Sequence, residues 1–172
     1  MSKPRTLSLT VLDHGQQITF TYEAMLAYSG PGSPGGVAHA FKVLERALPL
    51  LEPSGPPERR ELEIVTAFGG PGARDGFELV TRAVTGDRYV VDPSLARPER
   101  GRALERFVFR LRYRHSEVTL YAREGYVREE LIELTRRLER THAEEARLTQ
   151  LKLEMAAAVI AAPAADVYAV DP

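Results

Sequence analysis

Arg106-Phe107-Val108-Phe109-Arg110-Leu111-Arg112-Tyr113-Arg114 alternates with a period of two, Phe107, Phe109, Leu111 and Tyr113 against Arg110, Arg112 and Arg114. Successive side chains of a strand point to opposite faces, so this spacing predicts a strand with one buried and one solvated side. A two-residue turn at His115-Ser116 sets Tyr113 opposite Val118 and Leu111 opposite Leu120, and both strands then bury the same face. A sheet with one apolar face needs a second layer to cover it. The helical periodicities on either side supply that layer.

Upstream, Leu62, Ile64 and Thr66 alternate with Glu61, Glu63 and Val65 as a strand that runs into Gly69-Gly70-Pro71-Gly72. A helix carrying Phe77, Leu79, Val80 and Ala83 follows as far as Gly86, and Tyr89-Val90-Val91 is a short strand. Further back, Val37, Ala40, Phe41, Leu44, Ala47 and Leu48 keep helical spacing until Pro49 ends the helix. Thr21 caps a shorter helix with Tyr22, Met25 and Leu26, and Leu7 to Phe20 reads as a hairpin turning at Asp13-His14-Gly15. Downstream, Val127, Leu131, Leu134 and Leu138 continue in helical register, and Leu148, Leu151 and Met155 resume it after a polar gap. Thr141-His142-Ala143-Glu144 has the form of a capping box, where the long helix breaks or bends. Unbroken, it would measure ~50 Å against a body of roughly 30 Å, and would project or pack on another subunit.

The expected architecture is therefore α+β, a mixed β-sheet covered on one face by helices, with a long C-terminal helix. The 172 residues form a single domain: hairpin 6–20, core 21–125, helical arm 126–162 and tail 163–172. With 44% hydrophobic and 27% charged residues, disordered and fibrous classes are excluded. A net charge of −1 leaves no global field toward nucleic acid or anionic membrane. Met1-Ser2-Lys3-Pro4 opens no apolar leader, and the run from Met155 to Ala162 falls far short of the ~20 residues that cross a bilayer, so the expected location is cytoplasmic with no membrane contact. Lys occurs only at 3, 42 and 152, an Arg bias that a GC-rich genome or a hot habitat would each produce.

With no Cys and four scattered His at 14, 39, 115 and 142, no thiol chemistry and no spaced metal-ligand set is present. No cofactor and no metal are expected. Gly30-Pro31-Gly32-Ser33-Pro34-Gly35 matches the string of a dinucleotide loop but follows a helix rather than a strand. Its glycines, with Gly36, can present backbone N–H groups to an anion at a helix start; a tight turn between two helices accounts for the same residues. Gly72, Arg74 and Asp75 form a second such loop, in which Arg74 would bind a carboxylate or phosphate and Asp75 would orient it, or cap the helix. Two Gly/Pro loops in one small domain point to a shared cleft for a small anionic ligand. As an enzyme, the same cleft would use Asp75 and His39 as proton carriers and Ser33 as a positioned hydroxyl. Between Arg88 and Arg114, eight arginines face three acids, and Arg110, Arg112 and Arg114 could track a phosphate backbone weakly; a solvated face or ion pairs with the acidic helix 129–145 explains them as well.

The order of these features resembles the FmdE-like family, the E components of formylmethanofuran dehydrogenase. Family members carry His-Gly-His-x-Cys-Pro-Gly where this chain has Ser29-Gly30-Pro31-Gly32-Ser33-Pro34-Gly35, and Cys-x-x-Asp-Ala where it has Gly72-Ala73-Arg74-Asp75-Gly76. A Thr85-Gly86 pair and the terminal segment Pro163-Ala164-Ala165-Asp166-Val167-Tyr168-Ala169-Val170 extend the likeness over nearly the whole chain. The resemblance implies a degenerate member that keeps the α+β scaffold, forms a homodimer through its sheet or late helix, and has lost the metal positions to Ser29, Pro31, Ser33 and Gly72. It implies an accessory role beside a metal-bearing or oxidoreductase partner.

Overall fold

The computed structural model describes residues 6–172; the reading of Met1 to Pro4 lies outside the described residues. Strands β1 (Ser8–Asp13) and β2 (Gln16–Thr21) form an antiparallel hairpin that turns at His14 and Gly15, both at positive φ. Helix α1 (Tyr22–Ser29) follows directly, its first turn capped where the Thr21 hydroxyl accepts from the Ala24 N–H at 3.1 Å. Helix α2 (Pro34–Leu51) is the spine of the molecule: from Pro34 to Leu44 every residue is buried. It lies on the main sheet, with α3 (Pro71–Thr81) on one flank and α5 (His142–Ala161) packed against it as well.

That sheet has the order β4-β3-β5-β6-β7, built from β3 (Leu62–Thr66), β4 (Tyr89–Val91), β5 (Val108–Tyr113), β6 (Ser116–Ala122) and β7 (Tyr168–Val170). Only β3 and β4 are parallel; the other neighbours are antiparallel, so the sheet is mixed. Leu62, Ile64, Phe109, Leu111 and Leu120 are fully buried beneath the helices. On the opposite face Arg112 and Val90 meet solvent. The architecture is α+β with helices on one face.

Four local expectations are corrected. The β5–β6 turn is Arg114-His115, not His115-Ser116: Tyr113 pairs with Ser116, Leu111 with Val118 and Phe109 with Leu120. The shift is two residues, so each side chain keeps its face, and Arg114 takes up the left-handed conformation (φ 52°) that a tight turn needs. Pro49 does not end α2, which continues to Leu51; in the last turn its missing N–H costs one helical bond. Helix α3 stops at Thr81 rather than Gly86, because left-handed Arg82 closes it and the Glu78 carboxylate accepts the next amides, Val84 N–H at 2.8 Å and Thr85 N–H at 3.0 Å. Arg110, Arg112 and Arg114 do not pair with the acidic helix: Arg112 binds Glu63 and Arg114 binds Glu61, across the ladder on and beside β3.

The late helix is broken. Helix α4 (Glu129–Arg136) and α5 are separate, and Thr141 and Glu144 form the reciprocal capping box at the start of α5. Leu131, Leu134, Leu148 and Leu151 make a small second core between them, so the pair folds back as a helical hairpin. A short helix α6 (Ala164–Val167) then delivers β7 to the sheet edge.

Candidate functional site

Among the described residues β3 and β4 are the one parallel pair of strands, and the carboxyl ends of parallel strands are where open sheets usually bind ligands. Strand β3, the Gly-rich loop, α3 and β4 form a βαβ unit, whose crevice lies beyond the carboxyl ends of the two strands. Thr66 ends β3: its hydroxyl donates to the Val108 carbonyl at 2.7 Å and accepts from the Phe68 N–H at 3.0 Å, turning the chain. Asp92 does the same after β4, taking the Ser94 N–H at 2.9 Å, and this bond with the Ser94 hydroxyl holds its carboxyl below the usual range. Between the two turns is a crevice of about 270 Å³, walled by Ala67, Gly69, Val91, Pro93, Glu105 and Arg106. A second hollow of about 100 Å³ lies across Phe68, where Arg102, Arg106 and Arg136 meet. Phe68 stacks on Phe107 at 4.4 Å and also lies against Gly70, where a Cβ would collide with its ring.

Charge at this mouth is unbalanced. Arg136 is neutralised by Glu105 at 2.9 Å, whereas the side chains of Arg102 and Arg106 form no ion pair or hydrogen bond among the described residues. Most of the other arginines in the basic segment have structural tasks. Arg88 is half-buried and donates to the carbonyls of Thr81, Arg82, Arg59 and Leu62, and Arg97 and Arg100 lie over the Tyr121 ring. Arg112 and Arg114 are ion-paired across the ladder, which leaves the proposed phosphate-tracking face largely neutralised. Sequence pattern places Arg106 at the head of an alternating strand and Gly69 in a turn, and gives neither these two nor Arg102 a binding role. The strand–Gly-loop–helix–strand order is the readable signal, while Arg102 falls in a segment with no period and Arg106 just ahead of β5, which begins at Val108.

The two Gly/Pro loops do come together, in direct contact. A Cβ on Gly72 would strike the Ser33 carbonyl, and one on Gly36 would press on the Ala73 nitrogen; Gly35 lies under Met155 of α5. These glycines let the starts of α2 and α3 touch. Gly30 closes α1 at φ 81°, Gly32 is exposed and its carbonyl accepts from the Lys152 ammonium at 3.1 Å, and Ser33 makes no side-chain cap bond. Asp75 does not cap α3, whose N-cap is Gly70; it accepts the Ser29 hydroxyl at 2.9 Å and ties α1 to α3. Arg74 is exposed.

His39 belongs to another environment. Its ring is fully buried against Phe107, 4.8 Å between centroids, and its Nδ1 shares a 2.7 Å hydrogen bond with the Tyr168 hydroxyl, while Nε2 has no partner among the described residues. Burial pushes its pKa down to about 3, opposed by the Tyr126 backbone, so the imidazole is neutral. His39 and Asp75 thus have separate partners, Tyr168 and Ser29, and share none.

At the positions that carry metal ligands in the resembled family, Ser29, Pro31, Ser33 and Gly72 offer two hydroxyls, one of them already given to Asp75. That set does not fit zinc or iron, which require imidazole, thiolate or carboxylate. Among the described residues no three His, Asp or Glu side chains are grouped to hold a metal ion. Among those residues, too, no helix is long and apolar enough to cross a membrane. Compared with protein families, curated proteins and solved structures, the chain matches none.

Proposed function

We infer that the chain binds a small anionic ligand in the crevice at the carboxyl ends of β3 and β4, and acts as an accessory or binding protein rather than as an enzyme. One observation carries the reading: three arginines meet around Phe68 against the single acid Glu105, and two of them, Arg102 and Arg106, lack a counter-charge among the described residues. A guanidinium held without a carboxylate partner suits a carboxylate or phosphate, which it can grip with two parallel N–H donors. Gly69, which lines the crevice, lets the backbone approach from the other side. The accessory part of the reading rests on the motif order shared with the E component of formylmethanofuran dehydrogenase, which implies a metal-bearing or oxidoreductase partner.

Thermal melts with orthophosphate, pyrophosphate and citrate test the binding. An anion at 100 times its Kd stabilises by about 2.7 kcal/mol, or roughly 5–10 °C for a chain of this size. The shift is expected in the parent protein, lost in R106A and reduced in R102A. Equal shifts in parent and R106A, or none with any of the three anions, would refute the site.

A further inference from the structure

A cavity of about 390 Å³ lies away from that crevice, between the free edge of β1, the end of α2 and the loop Pro53–Pro57. Leu9, Leu44 and Leu48 floor it, and Thr10, Glu52 and Pro56 stand on its rim.

The edge of β1 is a template already started. Among the described residues, strand β1 pairs with another strand, β2, on one side only. On the other side the Leu12 N–H donates to the Pro57 carbonyl at 2.8 Å, and Leu12 and Glu58 form a single parallel bridge. Backbone groups on a strand alternate sides with a period of two, so those of Thr10 and Ser8 face the same way as those of Leu12. The Tyr22 N–H, donating to the Leu7 carbonyl at 3.0 Å on the β2 side, has the matching phase. Beyond Leu12 the pairing stops. Pro56 and Pro57 carry no N–H to offer, and the loop through Gly55 diverges and opens the cavity. Thr10 and Ser8 therefore present donors and acceptors to a groove with a leucine floor.

We propose that this groove takes an extended peptide that adds to the free edge of β1 and places a Lys or Arg side chain at Glu52. Main-chain pairing with Ser8 and Thr10 supplies the docking and the leucine floor takes the alternate, apolar side chains. From Ser8 to Leu12 the edge is about 13 Å long at ~3.3 Å per residue, room for four residues of extended chain. The sign of the charge comes from the rim. Glu45 is already matched by Lys42 at 2.8 Å, whereas the Glu52 carboxylate accepts from the Ser54 hydroxyl and N–H, feels the Arg114 charge only at longer range, and forms no ion pair among the described residues.

Amide exchange of the full chain, followed by NMR, reads this directly. The probes are two labelled nonapeptides, alternating valine with lysine and valine with glutamate. With the lysine peptide the Ser8 and Thr10 amides are expected to become protected, and the glutamate peptide should bind about fivefold more weakly, as one exposed ion pair allows. Thr10→Pro, at an edge position where the missing N–H costs the native sheet nothing, should abolish binding. Glu52→Lys, a surface change that leaves the edge intact, should reverse the preference between the peptides. The proposal is overturned if neither peptide protects those amides, if Glu52→Lys leaves the preference unchanged, or if protection appears with protein concentration alone, which would make a second copy the occupant.

Discussion

At the scale of single residues, glycines that look alike in sequence have opposite roles. Gly72 faces the Ser33 carbonyl, backbone against backbone, so neither side can swing away from an added methyl. Gly72→Ala is expected to cost about 1–3 kcal/mol, as overpacking does, and to lower the Tm by roughly 2–4 °C per kcal/mol. Gly32 has nothing within 4 Å of an added Cβ and no positive φ. Gly32→Ala should therefore leave the Tm unchanged or raise it slightly, through the lower entropy of the unfolded chain. Differential scanning calorimetry of the pair decides it, and equal losses would contradict the packing account. His39 gives a pH test. Its folded pKa of about 3 lies below the ordinary value of 6.5, so between those values the unfolded chain takes up a proton that the folded chain refuses. Stability then falls as pH drops through 6.5, by about 2 kcal/mol from pH 7 to 5. Urea titrations across that window should show the loss in the parent and a flat response in His39→Leu.

Elements are legible where period and punctuation agree. The alternation of Phe107 to Tyr113, the Thr21 cap and the Thr141 capping box each mark a boundary that the fold keeps. Local pattern fails where an unlikely-looking residue does a turn's work. Arg114 and Arg82 adopt left-handed backbone without being glycine, so neither the hairpin turn nor the end of α3 falls where glycine and turn chemistry point. The candidate site is legible only in part. The strand, Gly-loop and helix are visible in order, but that Glu61 and Glu63 consume Arg114 and Arg112 and leave Arg102 and Arg106 free is a matter of cross-strand register, which no local pattern encodes. The capping box gives a prediction at this scale. Thr141 holds the Glu144 N–H at 3.2 Å, and the first turn of α5 is mostly exposed, so little else anchors it. Thr141→Ala is expected to cost about 1 kcal/mol and to speed amide exchange over the first turn of α5, while α2 keeps its protection. Loss of protection in both would mean that α5 and α2 open as one unit.

For the whole molecule, the break at Thr141 replaces a projecting arm with a compact cover. Folded back through its own leucines, α4 packs on α5 while α5 packs over α2, so an overlong helix is no longer a ground for a homodimer. What closes the body is its last segment. Tyr168 is fully buried, hydrogen-bonded to His39 and set edge-on to Phe109 at 5.7 Å, and β7 covers the outer edge of β6 through Leu120, Tyr121 and Ala122. Arg97 grips Asp171 with two hydrogen bonds, 3.2 and 2.6 Å, just beyond the strand. These contacts separate two kinds of loss. Tyr168→Phe keeps the ring and strips one partner from a buried imidazole, which costs about 1–3 kcal/mol and leaves a soluble, cooperatively melting protein. Deleting residues 163–172 removes the ring as well and bares β6, a seven-residue strand with Val118, Leu120 and Ala122 on one face, as an unpaired edge. Such an edge is a template for other chains, so the truncated protein is expected to elute as large aggregates on size-exclusion chromatography. A truncated form that stayed soluble with a melting temperature near that of Tyr168→Phe would show that the edge is guarded elsewhere, and that the C-terminal strand is an ornament to the sheet rather than its closure.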